Sequence, residues 1–266
     1  MSTSLAKVAT RGVKAGIKRL IPEGSRPKAV RLRLLKKLIQ DERIKAGPFE
    51  GIFFPTTTHW SGVVPKLLGV YELELYATLN AWHNLAFAHI INVGSADGYY
   101  ALGCAKTWPA SRIIAYETEV VGRKLLEEYA LRNGFKDRIE CRPTCTPLEF
   151  GKVLKETKAG LVIMDVEGYE DALLAGENVA LLRHFHLIVE IHDLRVERLG
   201  EKLIARFAAT HTITEIWTRR RELKDFAYPE KRVLRLYLLA QLREISNEER
   251  GAPMRWFTFE PKAAQG

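Results

Sequence analysis

Two short acidic stretches hold the side chains best suited to chemistry. They are Met164-Asp165-Val166-Glu167-Gly168-Tyr169-Glu170 and Val189-Glu190-Ile191-His192-Asp193. Each completes an apolar, strand-like run, Leu161 to Val166 and His186 to His192, and in a doubly wound sheet ligands gather at the carboxyl ends of strands. Three uses are open to this cluster. His192, with an ordinary pKa of about 6.5, suits removal of a proton from a hydroxyl or amine at neutral pH. Asp165 with Glu190 or His192 could instead hold a divalent metal that grips a diol. The third use is structural: Glu167 and Glu170 favour the start of the next helix, where carboxylates meet its dipole.

A second feature lies upstream. Ile90-Ile91-Asn92-Val93 runs into Gly94-Ser95-Ala96-Asp97-Gly98 and then Tyr99-Tyr100, a strand, a glycine-bounded turn and a helix start. Such a turn lets a ligand approach free backbone amides. Glu117 ends the following strand-like run, where an acid accepts hydrogen bonds from ribose hydroxyls. Ala96 occupies the middle position of the dinucleotide fingerprint, which calls for glycine. A cofactor without a pyrophosphate, S-adenosylmethionine, fits this turn better than a nicotinamide dinucleotide does.

These residues need elements to carry them. Strand-like runs at His89 to Val93, Arg112 to Glu117, Arg138 to Arg142, Leu161 to Val166 and His186 to His192 alternate with helical patterns. Those patterns span Tyr99 to Thr107, Val120 to Asn133, Pro147 to Thr157, Tyr169 to Leu182 and Val196 to Ala209. The alternation predicts an α/β fold with a doubly wound, Rossmann-like parallel sheet. Thr212 to Trp217 and Val233 to Leu239 are expected to close it as an antiparallel hairpin. A short strand pair around Ile52 to Val64 and a helix from Tyr71 to Trp82 are expected as a lead-in, where His59, Trp60, Lys66 and Tyr71 could form a lid or simply pack.

Through Asn92-Val93-Gly94-Ser95-Ala96-Asp97-Gly98-Tyr99-Tyr100, Ala115-Tyr116-Glu117 and Met164-Asp165-Val166-Glu167-Gly168-Tyr169-Glu170, the chain resembles the FkbM-like group of class I S-adenosylmethionine-dependent methyltransferases. Leu68-Gly69-Val70-Tyr71-Glu72 and Val189-Glu190-Ile191-His192 add to the likeness, which covers about residues 65 to 240. The resemblance implies a seven-stranded, mostly parallel sheet with an antiparallel last strand. It also implies a cofactor site drawn from Glu72, Asn92, Gly94, Ser95, Asp97, Gly98, Glu117 and Asp165, with Glu117 on the ribose. Asn92 departs from the acid common at that position; it keeps a hydrogen-bond acceptor but loses the charge attraction, so the expectation is weaker binding or reliance on Glu72. His192, Asp165, Glu167 and Glu190 are then the catalytic candidates, and Asp165, Glu190 and His192 the metal candidates.

Charge divides the chain. Of 266 residues with a net charge of +9, the first 45 hold 13 Lys or Arg against 3 Asp or Glu, so the remainder is nearly neutral. Lys7, Arg11, Lys14 and Lys18 share one helical face, with Leu5, Val8, Val13, Ile17 and Leu20 on the other. This is the pattern of a helix lying on an anionic membrane through residues 1–21, with a solvated arm or RNA binding as alternatives. A second basic helical stretch runs from Lys28 to about Lys45. The organisation expected is a basic amphipathic extension over 1–48, a methyltransferase domain over 49–245 and a C-terminal tail over 246–266.

Three cysteines, Cys104, Cys141 and Cys145, are too few for a disulfide framework and indicate a reducing, cytoplasmic setting, peripheral to the inner face of a membrane if the extension binds lipid. The function expected is O-methylation of a small-molecule or glycan-like acceptor. RNA or protein methylation, a nicotinamide-dependent oxidoreductase and a non-catalytic cofactor-binding protein are the competing readings; the neutral body argues against nucleic acid.

Overall fold

The computed structural model describes residues 39–56, 62–226 and 254–263. The chain divides after Asp41. Of the first unit only residues 39–41 are described, so the amphipathic pattern over 5–20 lies outside the described residues, as do His59 and Trp60. The sheet and the site belong to the unit that starts at Glu42.

Seven strands form one sheet: β1 (His89–Val93), β2 (Arg112–Tyr116), β3 (Ile139–Arg142), β4 (Gly160–Met164), β5 (Phe185–Ile191), β6 (His211–Trp217) and β7 (Arg255–Pro261). Their order is β3-β2-β1-β4-β5-β7-β6. The first five are parallel, and β7 runs antiparallel to both β5 and β6. The doubly wound, Rossmann-like α/β sheet expected from the alternation is therefore present, with an antiparallel last strand. Every residue of β4 is buried, which is why Gly-Leu-Val-Ile-Met reads as continuous rather than alternating.

Eight helices accompany the sheet among the described residues: α1 (Val63–Leu68), α2 (Tyr76–Ala81), α3 (Tyr99–Thr107), α4 (Val120–Arg132), α5 (Pro147–Thr157), α6 (Glu170–Leu173), α7 (Glu177–Leu181) and α8 (Leu199–Phe207). Local chemistry explains α5 well. Thr146 caps it by accepting the Glu149 amide at 3.2 Å, and Pro147 occupies the first turn, where its missing N–H costs nothing. One core joins Ile91, Val93, Val162, Met164, Leu187 and Val189 of the central strands to Phe150 and Phe207 of flanking helices.

Several elements differ from expectation. The expected strand over 233–239 lies outside the described residues, and the partner of β6 is β7, from the stretch read as a tail over 246–266. Trp256, Phe257 and Phe259 are all buried, because β7 inserts between two strands and has no solvent edge. The helix expected over 169–182 is split into α6 and α7 by Gly176, whose φ of +57° and ψ of −135° no helix accommodates. The lead-in helix starts later than Tyr71 because Glu72 has φ +46°; a 3-10 turn at Leu73–Leu75 precedes α2. Of the strand pair expected around 52–64, residues 57–61 lie outside the described residues; among the described ones Phe53 forms a bridge with Arg43, and α1 starts at Val63. Of the second basic stretch, residues 28–38 lie outside the described residues, and Arg43 sits in that bridge with Lys45 in no helix.

Candidate functional site

The loop after β1 presses directly on the end of β4. Gly94 has φ +78°, and a Cβ there would lie 1.8 Å from the Asp165 carbonyl oxygen, so only glycine fits. The Asp165 amide donates to the Val93 carbonyl at 3.1 Å, while the amides of Gly94 and Ser95 both reach the Tyr116 carbonyl. Three strand ends are thereby stitched around a cavity of about 400 Å³ lined by Gly94, Ala96, Glu117, Cys145, Asp165 and Tyr169, among others.

Glu117 stands at the rim. Its carboxylate accepts the Ala96 amide at 2.8 Å and the Glu119 amide at 2.8 Å. The Thr118 hydroxyl donates to the same carboxylate at 3.4 Å; a carboxylate has about four acceptor positions, so room remains for a ribose hydroxyl. Asn92 is 1% exposed; its amide nitrogen donates to the Ile163 carbonyl at 3.4 Å, and its Oδ1 is buried with no hydrogen-bond partner. Burying an unsatisfied acceptor is costly, and a bound donor would remove the cost.

On the other side of Asp165, four of the five strand-end groups expected to converge do meet, Asp165, Glu167, Glu190 and His192, while Asp193 turns away. His192 Nε2 lies 3.5 Å from Asp165 Oδ1, 3.8 Å from Glu167 Oε2 and 3.9 Å from Glu190 Oε2. Its Nδ1 is 2.8 Å from Oε1 of the fully buried Glu170, which also accepts the Val166 amide at 3.0 Å. Burial opposes charging the imidazole, but the bond to Glu170 and the charges of Glu170, Glu190 and Glu167 prevail, so the His192 pKa is raised. Desolvation, then the like charges of Glu190 and Glu72, push the Asp165 carboxyl well above the usual carboxylate range. Glu72, buried, accepts a hydrogen bond from the Tyr100 hydroxyl. Six non-glycine residues among those described have positive φ, and Glu72, Ala96 and Glu167 of this site are three of them. Such strain persists only where surrounding structure holds it, and it concentrates at functional sites.

Other candidates fall elsewhere. Asp97, fully buried, does not line the cavity; it pairs with Lys66 Nζ at 3.2 Å. Gly98 serves packing, since a Cβ there would lie 2.3 Å from Leu126 Cδ1 on α4. Ser95 is buried and also outside the lining. Asp193 accepts from Arg255 Nε at 2.9 Å and from the Gly200 amide, tying α8 to β7. Lys66 and Tyr71 are not a lid, because Tyr71 packs edge-on against Tyr99 and Lys66 is 5% exposed. His186 packs against Trp82 and Phe87. All three cysteines are free thiols. Burial pushes Cys141 up to about 11 and Cys145 to about 12, away from metal-binding thiolate character. Glu170's contact with His192 escaped the sequence reading, which placed it only at a helix start; the two are 22 residues apart, and no local spacing signals their meeting.

No protein-family model matches the sequence, and neither does any curated protein. Among solved structures, the chain is similar to an O-methyltransferase from Bacillus cereus in complex with SAH, at 12% identity and TM-score 0.47 over 91% of this chain and 93% of that one. It is also similar to the METTL16 MTase domain, at 15% identity and TM-score 0.48 over 90% and 84%. A methyltransferase from Geobacter sulfurreducens gives 11% identity and TM-score 0.44 over 95% and 96%. Likeness at this level says nothing about chemistry, and the fold stands on its own strand order.

Proposed function

We propose that this chain is an S-adenosylmethionine-dependent O-methyltransferase of the FkbM-like kind, acting on a small-molecule or glycan-like acceptor. The observation that carries the reading is that Asp165 and Glu167 line the cavity bounded by Gly94 and Glu117, while His192, backed by Glu170, stands behind that lining with Nε2 3.5 Å from Asp165. The residues fit this cofactor: Glu117 offers acceptors for a ribose at the rim, and Asn92, outside the cavity lining but next to Val93 of it, has a buried Oδ1 without a partner that an ammonium group could satisfy. Nothing at the turn supplies the glycine-rich approach a pyrophosphate needs.

When bound, the cofactor supplies an electrophilic methyl group on a sulfonium, so the protein's task is to position an acceptor oxygen in line and remove its proton. His192 Nε2 takes that proton. Glu170 holds Nδ1 protonated and aims the ring, then stabilises the imidazolium that forms. Asp165 and Glu190 flank the ring and orient the acceptor, with Glu167 beside them.

A second reading has one observation in its favour. Asp165, Glu190 and His192 each offer a ligand atom, all within 4.8 Å of one another, a grouping able to hold a divalent cation that would grip an acceptor diol. Calorimetric titration with S-adenosylhomocysteine, beside Glu117→Ala and repeated with chelator, tests both. Binding that Glu117→Ala weakens about tenfold or more supports the cofactor site. No binding by folded protein sinks it. Binding that chelator changes moves the assignment to the metal form. As for setting, no helix among the described residues is long and apolar enough to cross a membrane.

A further inference from the structure

We infer that Lys66 is a positioning residue for the cofactor: its buried ion pair with Asp97 sets the turn whose Ala96 amide orients Glu117. The inference rests on the reading of the cavity as an S-adenosylmethionine site.

Lys66 lies on α1, and its ammonium is held from several directions. Nζ is 3.2 Å from Asp97 Oδ1 and stands 5.3, 5.2 and 5.8 Å from the ring centres of Phe54, Tyr71 and Tyr99. Lysine is rarely buried this deeply, and replacing a buried ion pair with apolar residues of similar volume is often neutral or stabilising. Stability alone therefore gives no reason for the pair. Orientation does. Asp97 belongs to the turn closed by the Gly98 amide on the Ser95 carbonyl at 2.7 Å, and the preceding residue, Ala96, has φ +48°. A non-glycine residue keeps that conformation only if its neighbours hold it. The Ala96 amide then points at Glu117 Oε2, 2.8 Å away. Contacts thus run from Lys66 to Asp97, along the turn to Ala96, and on to the carboxylate at the cavity rim.

The test is a double-mutant cycle on the full chain, read by calorimetric titration with S-adenosylhomocysteine. Lys66→Met is expected to weaken binding about tenfold. On top of Glu117→Ala it should add less than about threefold, because both changes remove one function. A role confined to packing would lower the melting temperature and leave binding by the folded protein unchanged, or its effect would multiply with that of Glu117→Ala. Either result overturns the inference. Lys66→Arg, which keeps the charge, should retain more affinity than Lys66→Met. If Lys66→Met does not fold, Asp97→Asn, nearly isosteric, takes its place in the cycle with the same expected loss. Failure of the parent itself to bind removes the cofactor reading and this inference together. A parent that binds and is weakened by Glu117→Ala but not by Lys66→Met removes only the inference.

Discussion

His192 and Glu170 form the pair on which the chemistry turns. The imidazole is buried, yet its pKa is raised, because Glu170 bonds Nδ1 at 2.8 Å and further carboxylates face the ring. The sign follows from that direction. A histidine whose folded pKa exceeds its unfolded value adds stability below the unfolded pKa and loses that contribution as pH rises through the folded one. As a base it needs the neutral ring, so the proposed activity should rise with pH above the ordinary histidine range. Glu170→Gln removes the largest attraction holding the proton. The His192 pKa measured by imidazole NMR should fall in that variant, and the plateau rate should drop about a hundredfold. An unchanged pKa would mean that Glu170 does not govern the ring.

At the scale of elements, the late strand β7 is the part on which the sheet depends most. It pairs with both its neighbours, Leu187 to Ile191 of β5 on one side and His211 to Trp217 of β6 on the other. Phe257 and Phe259 are fully buried, each worth about 1.5–3 kcal/mol, before Trp256 is counted. Native stability is only about 5–15 kcal/mol. Ending the chain at residue 253 should therefore give insoluble or unfolded protein, seen as lost soluble yield and a lost cooperative melt. A dispensable tail would leave both intact.

The whole molecule separates charge from chemistry. A strongly basic N-terminal stretch precedes a nearly neutral body whose cleft gathers carboxylates. If residues 1–21 meet an anionic membrane, the full chain should co-sediment with phosphatidylserine-rich vesicles and be released by high salt. Deleting 1–21 should abolish this, since each basic residue near such a surface contributes about 1 kcal/mol. Retention on RNA and not on vesicles would reassign the segment.

Much of the fold was legible because its signals are local. Apolar runs and the glycines of the β1 turn announce strands and a helix start within a few residues of themselves, and α3 and α5 fall where periodicity put them. The convergence of Asp165, Glu190 and His192 was also readable, since parallel strands deliver their ends to one side. What periodicity could not place were partners distant in sequence: β7 against β5 and β6, Glu170 against His192, and Lys66 against Asp97. Composition, strand succession and the residues at strand ends follow from the sequence by itself. Which face Asp97 turns to, which strand closes the sheet and which carboxylate holds the histidine were decided only by tertiary packing, because burial and charge pairing act through space and leave no period along the chain.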